Sequence, residues 1–176
     1  MRSNVKEVLL NAQQIQGRIC EMGGQITKEY QGKDLVVVCV LKGAFMFLSA
    51  LAKEIKLPVT IDFIAISSYG SSTKSSGVVR FVKDLDESVE GRHVLVVEDI
   101  VDTGLTLHYL TENLLSRNPA SVKICTLLSK PSRRKIEVDV AYIGFEVPDL
   151  FVVGFGLDYA EKYRNLAEVC VLEGIQ

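Results

Sequence analysis

The sequence predicts an α/β fold in which a central parallel sheet is flanked by helices and a small C-terminal lobe sits over its carboxyl edge. Two observations carry this expectation. Apolar runs such as Leu35–Leu41 and Val94–Val97 lack the polar alternation of a half-exposed strand, and fit strands buried on both faces. These runs alternate with helix-like segments, which implies right-handed βαβ units. The 176 residues, 48% of them hydrophobic, suffice for one domain with a sizeable core.

The elements follow in order. Residues 11–30 place Ile15, Ile19, Met22 and Ile26 on one helical face, although Gly23-Gly24 weakens the helix. Leu35–Leu41 is a buried strand, Lys42-Gly43 turns the chain, and Ala44–Ile55 forms a largely apolar helix. Pro58 precedes a strand at Val59–Ser67. Residues 67–77 are Ser- and Gly-rich, too polar to pack, and read as a mobile loop before a strand at Val78–Lys83. An acidic turn leads into a strand from about Val94 and a helix reaching about Ser116, which Asn118-Pro119 ends. Val122–Leu128 is another buried strand, and residues 130–135 form a basic turn. Val138–Glu146, Phe151–Phe155 and Val169–Leu172 are short strands that break the alternating rhythm, and the small lobe is assigned to them.

Charge and cysteine content narrow the function classes. Lys and Arg number 20 against 22 acids, a balance that argues against a protein whose main task is coating nucleic acid. No stretch approaches the ~18 apolar residues of a membrane span. Cys20, Cys39, Cys125 and Cys170 lack metal-ligand or redox spacing and sit in apolar contexts, so buried thiols in a reducing, cytoplasmic compartment are expected. The first residues lack the apolar core of a signal peptide.

Residues 94–107 read Val-Leu-Val-Val-Glu-Asp-Ile-Val-Asp-Thr-Gly-Leu-Thr-Leu. Functional groups in parallel sheets lie at the carboxyl ends of strands, so Glu98, Asp99 and Asp102 are expected at a strand tip. The loop Thr103-Gly104-Leu105-Thr106 opens a helix, and its N–H groups and the helix N-terminus suit an anion. Three carboxylates beside an anion site would repel a phosphate unless other groups intervene. A substrate that offers hydroxyls to Glu98 and Asp99, a phosphate to the loop, and a metal cation for the remaining charge resolves the conflict. A phosphorylated ribose meets that description.

This stretch resembles the 5-phosphoribosyl-1-pyrophosphate (PRPP) motif of the type I phosphoribosyltransferases. Leu41-Lys42-Gly43, Ser68-Tyr69, Val96 to Gly104, Leu127-Leu128-Ser129-Lys130, Phe145 to Asp149 and Phe151 to Tyr159 fall in the order seen in the hypoxanthine(-guanine) phosphoribosyltransferases. The resemblance covers almost the whole chain and looks bacterial in type. It implies the type I phosphoribosyltransferase fold in a single domain over residues 1–176, with a hood formed mainly by about 130–176 with N-terminal residues. The implied activity is purine salvage, the transfer of 5-phosphoribose from PRPP to N9 of hypoxanthine and/or guanine to give IMP or GMP and pyrophosphate.

The resemblance also implies site roles. Glu98 and Asp99 would bind the ribose hydroxyls and reach magnesium through water. Asp102 would handle the proton at purine N7. Thr103, Gly104, Leu105 and Thr106 would wrap the 5′-phosphate. Lys42, Gly43 and Arg164 would meet pyrophosphate, after a Leu41–Lys42 peptide that is cis in many relatives. Lys130 would read the purine 6-oxo group, Phe151 would stack on the ring, and Val152 would offer backbone contacts. Asp158 would hold a second Mg2+ ion. Ser68 and Tyr69 belong to the loop expected to close over the reacting centre. Purine bases and their nucleotides, with PRPP, are the implied ligands, and a homodimer or homotetramer the implied assembly, with no nucleic-acid or membrane partner.

Two positions depart from the family pattern: Phe155 replaces a common Tyr, and Ala167-Glu168 replaces a Pro-aromatic pair. They bear on fine base preference. His93 and His108 have structural surroundings, and neither a Walker-type phosphate loop nor a complete dinucleotide fingerprint occurs. Two alternatives share these motifs. One is the same fold serving xanthine. The other is a regulator with PRPP or nucleotides as effectors, which the acidic balance and the joint presence of Asp102, Lys130 and Phe151 disfavour.

Overall fold

The computed structural model describes residues 5–68 and 79–174. The chain runs β1 (Val5–Leu10), α1 (Ala12–Glu29), β2 (Leu35–Leu41), α2 (Phe45–Glu54), β3 (Thr60–Ser68), β4 (Val79–Lys83), β5 (His93–Val101), α3 (Leu105–Leu115), β6 (Ser121–Ser129), β7 (Val140–Glu146), β8 (Val152–Val153) and β9 (Val169–Leu172). A six-stranded sheet has the order β4-β3-β2-β5-β6-β7, and a three-stranded sheet the order β1-β9-β8.

Strand geometry explains why β2 and the Val94–Val97 run of β5 are apolar throughout. Successive side chains point to opposite faces. Val37, Cys39, Leu95 and Val97 pack with α1 and α2 through Ile15, Ile19, Met22, Ile26, Phe47 and Leu51. Val36, Val38, Val40, Val94 and Val96 pack with α3 through Leu107, Leu110 and Leu114. Both faces are therefore covered. The helix expected at 11–30 starts at an Asn11–Gln14 capping box, and it continues through Gly23-Gly24. A Cβ at Gly23 would lie 2.4 Å from Glu54 Cβ, so the glycine is what lets α1 approach α2.

The structure corrects three expectations. The central sheet is not wholly parallel: β4 pairs antiparallel with β3 at one edge. The hood expected from about residue 130 does not contain Val140–Glu146, which pairs parallel with β6 and completes the central sheet. The half-buried Arg18 side chain on α1 holds that edge by donating to Gly144 O at 3.1 Å and Ile143 O at 2.8 Å. The hood sheet joins C-terminal β8 and β9 to N-terminal β1, and its core is Val153, Leu166, Cys170 and Leu172. Finally, Cys39, Cys125 and Cys170 are buried thiols, whereas Cys20 is exposed. It lies on the outer face of α1, where an apolar sequence neighbourhood does not translate into burial because helical faces alternate every few residues.

Of the expected closing loop, Ser68 ends β3, while Tyr69 and residues 70–78 lie outside the described residues.

Candidate functional site

Sheet topology decides where a site can form. From β2 the chain passes to β3 on one side, while from β5 it passes to β6 and β7 on the other. The crevice between the carboxyl ends of β2 and β5 is the switch point where open α/β sheets bind ligands. The Lys42-Gly43 turn follows β2, and Glu98, Asp99 and Asp102 lie at the end of β5. An open cavity of about 230 Å3 is lined by residues 98–104 with Thr106 and Leu107.

The two sides of the crevice touch at a glycine. A Cβ on Gly43 would fall 1.6 Å from Asp99 Oδ2, so only glycine fits under that carboxylate. Gly156, from the hood, closes in from the third side: its Cβ would lie 2.0 Å from Gly43 O. The Leu41–Lys42 peptide is cis, as the family resemblance implied.

Glu98 and Asp99 form a buried acidic pair. Burial pushes both carboxyls above the ordinary carboxylate range, Glu98 furthest because it also faces the charge of Asp99. The Ile100 N–H donates to Asp99 Oδ1 at 2.7 Å and Arg164 lies nearby, and both oppose the rise at Asp99. Ionising both carboxyls there is costly, and a cation or hydroxyl donors beside the pair would favour the ionised forms.

The anion loop is braced from behind. Gly104 takes φ 83° and caps α3, whose first N–H groups have no partner within the helix. Lys135 N and Ile136 N both donate to Thr103 O, at 3.0 and 3.2 Å. A Cβ on Gly104 would meet Ile136 O at 2.5 Å. The basic turn after β6 thus fixes the shape of the Thr103–Thr106 loop.

Asp102 lies beyond the strand end with its Oδ1 buried. Arg133 Nε comes within 2.8 Å of that oxygen, an ion pair by distance that is off the direction of a hydrogen bond. Arg133 also reaches Asp149 Oδ1 at 3.3 Å, and Lys130 Nζ lies 3.8 Å from the same atom. Lys130 is only 7% exposed, which is rare for a lysine and marks it as held rather than solvated. Phe151 meets Tyr159 edge-on with ring centroids 5.7 Å apart, and Val152, on the hood strand β8, is buried.

On the remaining side, Asp158 Oδ1 takes Arg164 at 2.8 Å, and Asp158 Oδ2 accepts the Glu161 N–H at 2.8 Å. Glu161 then reaches Lys42 Nζ at 3.0 Å and Arg164 Nη2 at 3.3 Å. Sequence reasoning assigned no role to Arg133, Asp149 or Glu161. Each lies within or beside a quoted motif, so position was legible, but the partner of each is decided by the fold. His93 and His108 take structural partners, Ser121 and Glu112 respectively.

Among the described residues, no group of three or more His, Cys, Asp or Glu side chains is arranged to hold a metal ion. The acidic pair fits a looser arrangement, in which magnesium keeps several waters and leans on one or two carboxylates together with substrate phosphates.

Comparison with known proteins agrees with this geometry. The phosphoribosyl transferase domain model matches residues 6–160. The hypoxanthine-guanine phosphoribosyltransferase of Mycobacterium tuberculosis is 53% identical, over 97% of this chain and 87% of the relative. That of Bacillus subtilis is 50% identical, over 98% and 96%. A crystal structure of a hypoxanthine phosphoribosyltransferase from Staphylococcus aureus superposes with a TM-score of 0.96 at 50% identity, over 98% of this chain and 94% of that one. With an acid-bearing strand end, a braced anion loop and full-length similarity of this order, the chain belongs to the phosphoribosyltransferase family.

Proposed function

We propose that the protein transfers 5-phosphoribose from PRPP to N9 of hypoxanthine and guanine, releasing pyrophosphate and forming IMP or GMP. The observation that carries this reading is the convergence of a braced anion loop, a buried acidic pair and a buried lysine around one switch-point crevice. Each part suits one piece of the substrates.

The N–H groups of residues 103–106 bind the 5′-phosphate at the start of α3. Glu98 and Asp99 accept hydrogen bonds from the ribose hydroxyls, a task for which ionised carboxylates are acceptors on both oxygens. As the bond to pyrophosphate loosens, C1′ gains oxocarbenium character, and the leaving charge is taken up by Lys42 and Arg164. Two Mg2+ ions, one carried near the acidic pair and one near Asp158, would add charge neutralisation on the diphosphate. Asp102 takes the N7 proton, which lets N9 attack with its lone pair. Lys130 donates to the 6-oxo oxygen, Phe151 covers the ring, and the Val152 backbone completes the edge. Ser68 and Tyr69 belong to the loop that would exclude water from the activated sugar. The free thiols of Cys20, Cys39 and Cys125 support a cytoplasmic setting, and a homodimer or homotetramer is the proposed assembly.

The test is ultraviolet-monitored conversion of hypoxanthine, guanine, xanthine and adenine with PRPP and magnesium. Turnover of the two named bases is expected. A preference for xanthine would move the assignment to another base, and no turnover with any base would refute it.

A further inference from the structure

We propose that Glu161 is an internal competitor of pyrophosphate, a carboxylate that bridges Lys42 and Arg164 in the free protein and must leave them before the diphosphate of PRPP can bind. This rests on the reading of Lys42 and Arg164 as the diphosphate-binding cations. Glu161 Oε2 lies 3.0 Å from Lys42 Nζ, and Glu161 Oε1 lies 3.3 Å from Arg164 Nη2. One side chain thus spans two cations, one 119 positions from it in sequence and the other three. Its two oxygens offer the charge and the acceptors that two oxygens of a diphosphate would bring to the same partners.

The chain is shaped to deliver this carboxylate. Ala160, Glu161 and Tyr163 take φ of 51°, 61° and 75°, a left-handed region that residues other than glycine seldom enter. Such conformations persist only where the surroundings impose them, and they cluster at ligand clamps and switches. Here Tyr159 and Lys162 exchange both backbone hydrogen bonds, at 3.1 and 3.0 Å. The Glu161 N–H is fixed on Asp158 Oδ2. The segment from Glu161 to Asn165 lines an open cavity of about 530 Å3, so room exists for the displaced side chain. Lys42 and Glu161 are 69% and 65% exposed, so their pairing is weak enough to be exchanged.

With an internal competitor, the apparent dissociation constant equals the intrinsic one divided by the fraction of molecules in which the site is free. Removing it should therefore tighten diphosphate binding, whereas a Glu161 that helped to bind the metal-diphosphate would weaken it when removed. The experiment titrates inorganic pyrophosphate, with and without magnesium, into the full protein by calorimetry, and measures KM for PRPP and for hypoxanthine. Glu161→Gln should tighten pyrophosphate and lower KM for PRPP by roughly two- to tenfold, the scale of two weak ion pairs, one exposed and one on the half-buried Arg164, with KM for hypoxanthine unmoved. Glu161→Asp keeps the charge but loses reach, and should fall between Glu161→Gln and the native protein. Unchanged or weaker binding in Glu161→Gln would overturn the proposal. Lys42→Ala and Arg164→Ala separate the two levels. If both weaken pyrophosphate while Glu161→Gln changes nothing, the competitor fails and the subsite stands. If neither weakens it, the subsite assignment itself fails and the competitor with it.

Discussion

Gly43→Ala offers a sharp test of the crevice. The new methyl carbon would sit 1.6 Å from Asp99 Oδ2 and 2.6 Å from Asp99 Cγ. Ordinary contact begins near 3.4 Å, so the carboxylate must retreat by about 2 Å. It cannot do so freely, because Asp99 Oδ1 accepts the Ile100 N–H at 2.7 Å in a confined site. Breaking a hydrogen bond to a charged group costs about 1.5–3 kcal/mol. If Asp99 holds the ribose hydroxyls, kcat/KM for PRPP should fall by roughly 10- to 150-fold, the same energy expressed as a ratio. The assay varies PRPP at saturating hypoxanthine. Gly24→Ala is the control. That glycine is exposed on α1 with nothing within 4 Å of its added Cβ. The change should stabilise the protein by about 0.5–1 kcal/mol and leave kinetics alone. A Gly43→Ala enzyme with native PRPP kinetics would refute both the contact and the placement of Asp99 at the ribose.

Three further outcomes are expected. Asp102→Asn should lower kcat by ~100-fold or more while PRPP still binds, since an amide cannot take the N7 proton; near-native turnover would remove Asp102 from that role. Lys130→Ala should impair hypoxanthine and guanine and narrow their advantage over adenine, which a donor-only ammonium disfavours by ~1–3 kcal/mol; native use of adenine would refute the assignment. Glu29 accepts from Lys123 and from the Tyr142 hydroxyl, and those bonds hold its carboxyl below the ordinary range. A depressed folded-state value contributes stability above the ordinary carboxylate range that is lost as pH falls through the depressed one. Thermal melts should therefore show Glu29→Gln destabilised at pH 7, with the gap to native protein closing on acidification; a gap independent of pH would sink this account.

Much of the site was legible because its chemistry is contiguous. Glu98, Asp99, Asp102 and the Thr103–Thr106 turn lie in one strand-loop-helix unit, where local periodicity and turn chemistry place every group. Strand β2 was legible for a similar reason, as a seven-residue apolar run rich in valine fits a strand covered on both faces. Strand β1 was not foreseen. Its pairing with β9 shifts register twice, so its side chains lack the alternation that marks a strand. The place of Val140–Glu146 was misread because short strands give no local sign of which sheet they join.

The sequence by itself determined the fold class, the family and the residue types gathered around the crevice, because these follow from short-range order along the chain. Only the tertiary structure decided how those residues pair. Gly43 under Asp99, Arg133 on Asp102 and Glu161 on Lys42 join segments distant in sequence. A charge carries no address: any acid could pair with any base in the chain. The choice is made by which strand ends the sheet order brings together, and by a left-handed turn at residues 160–163 that aims one carboxylate at two cations.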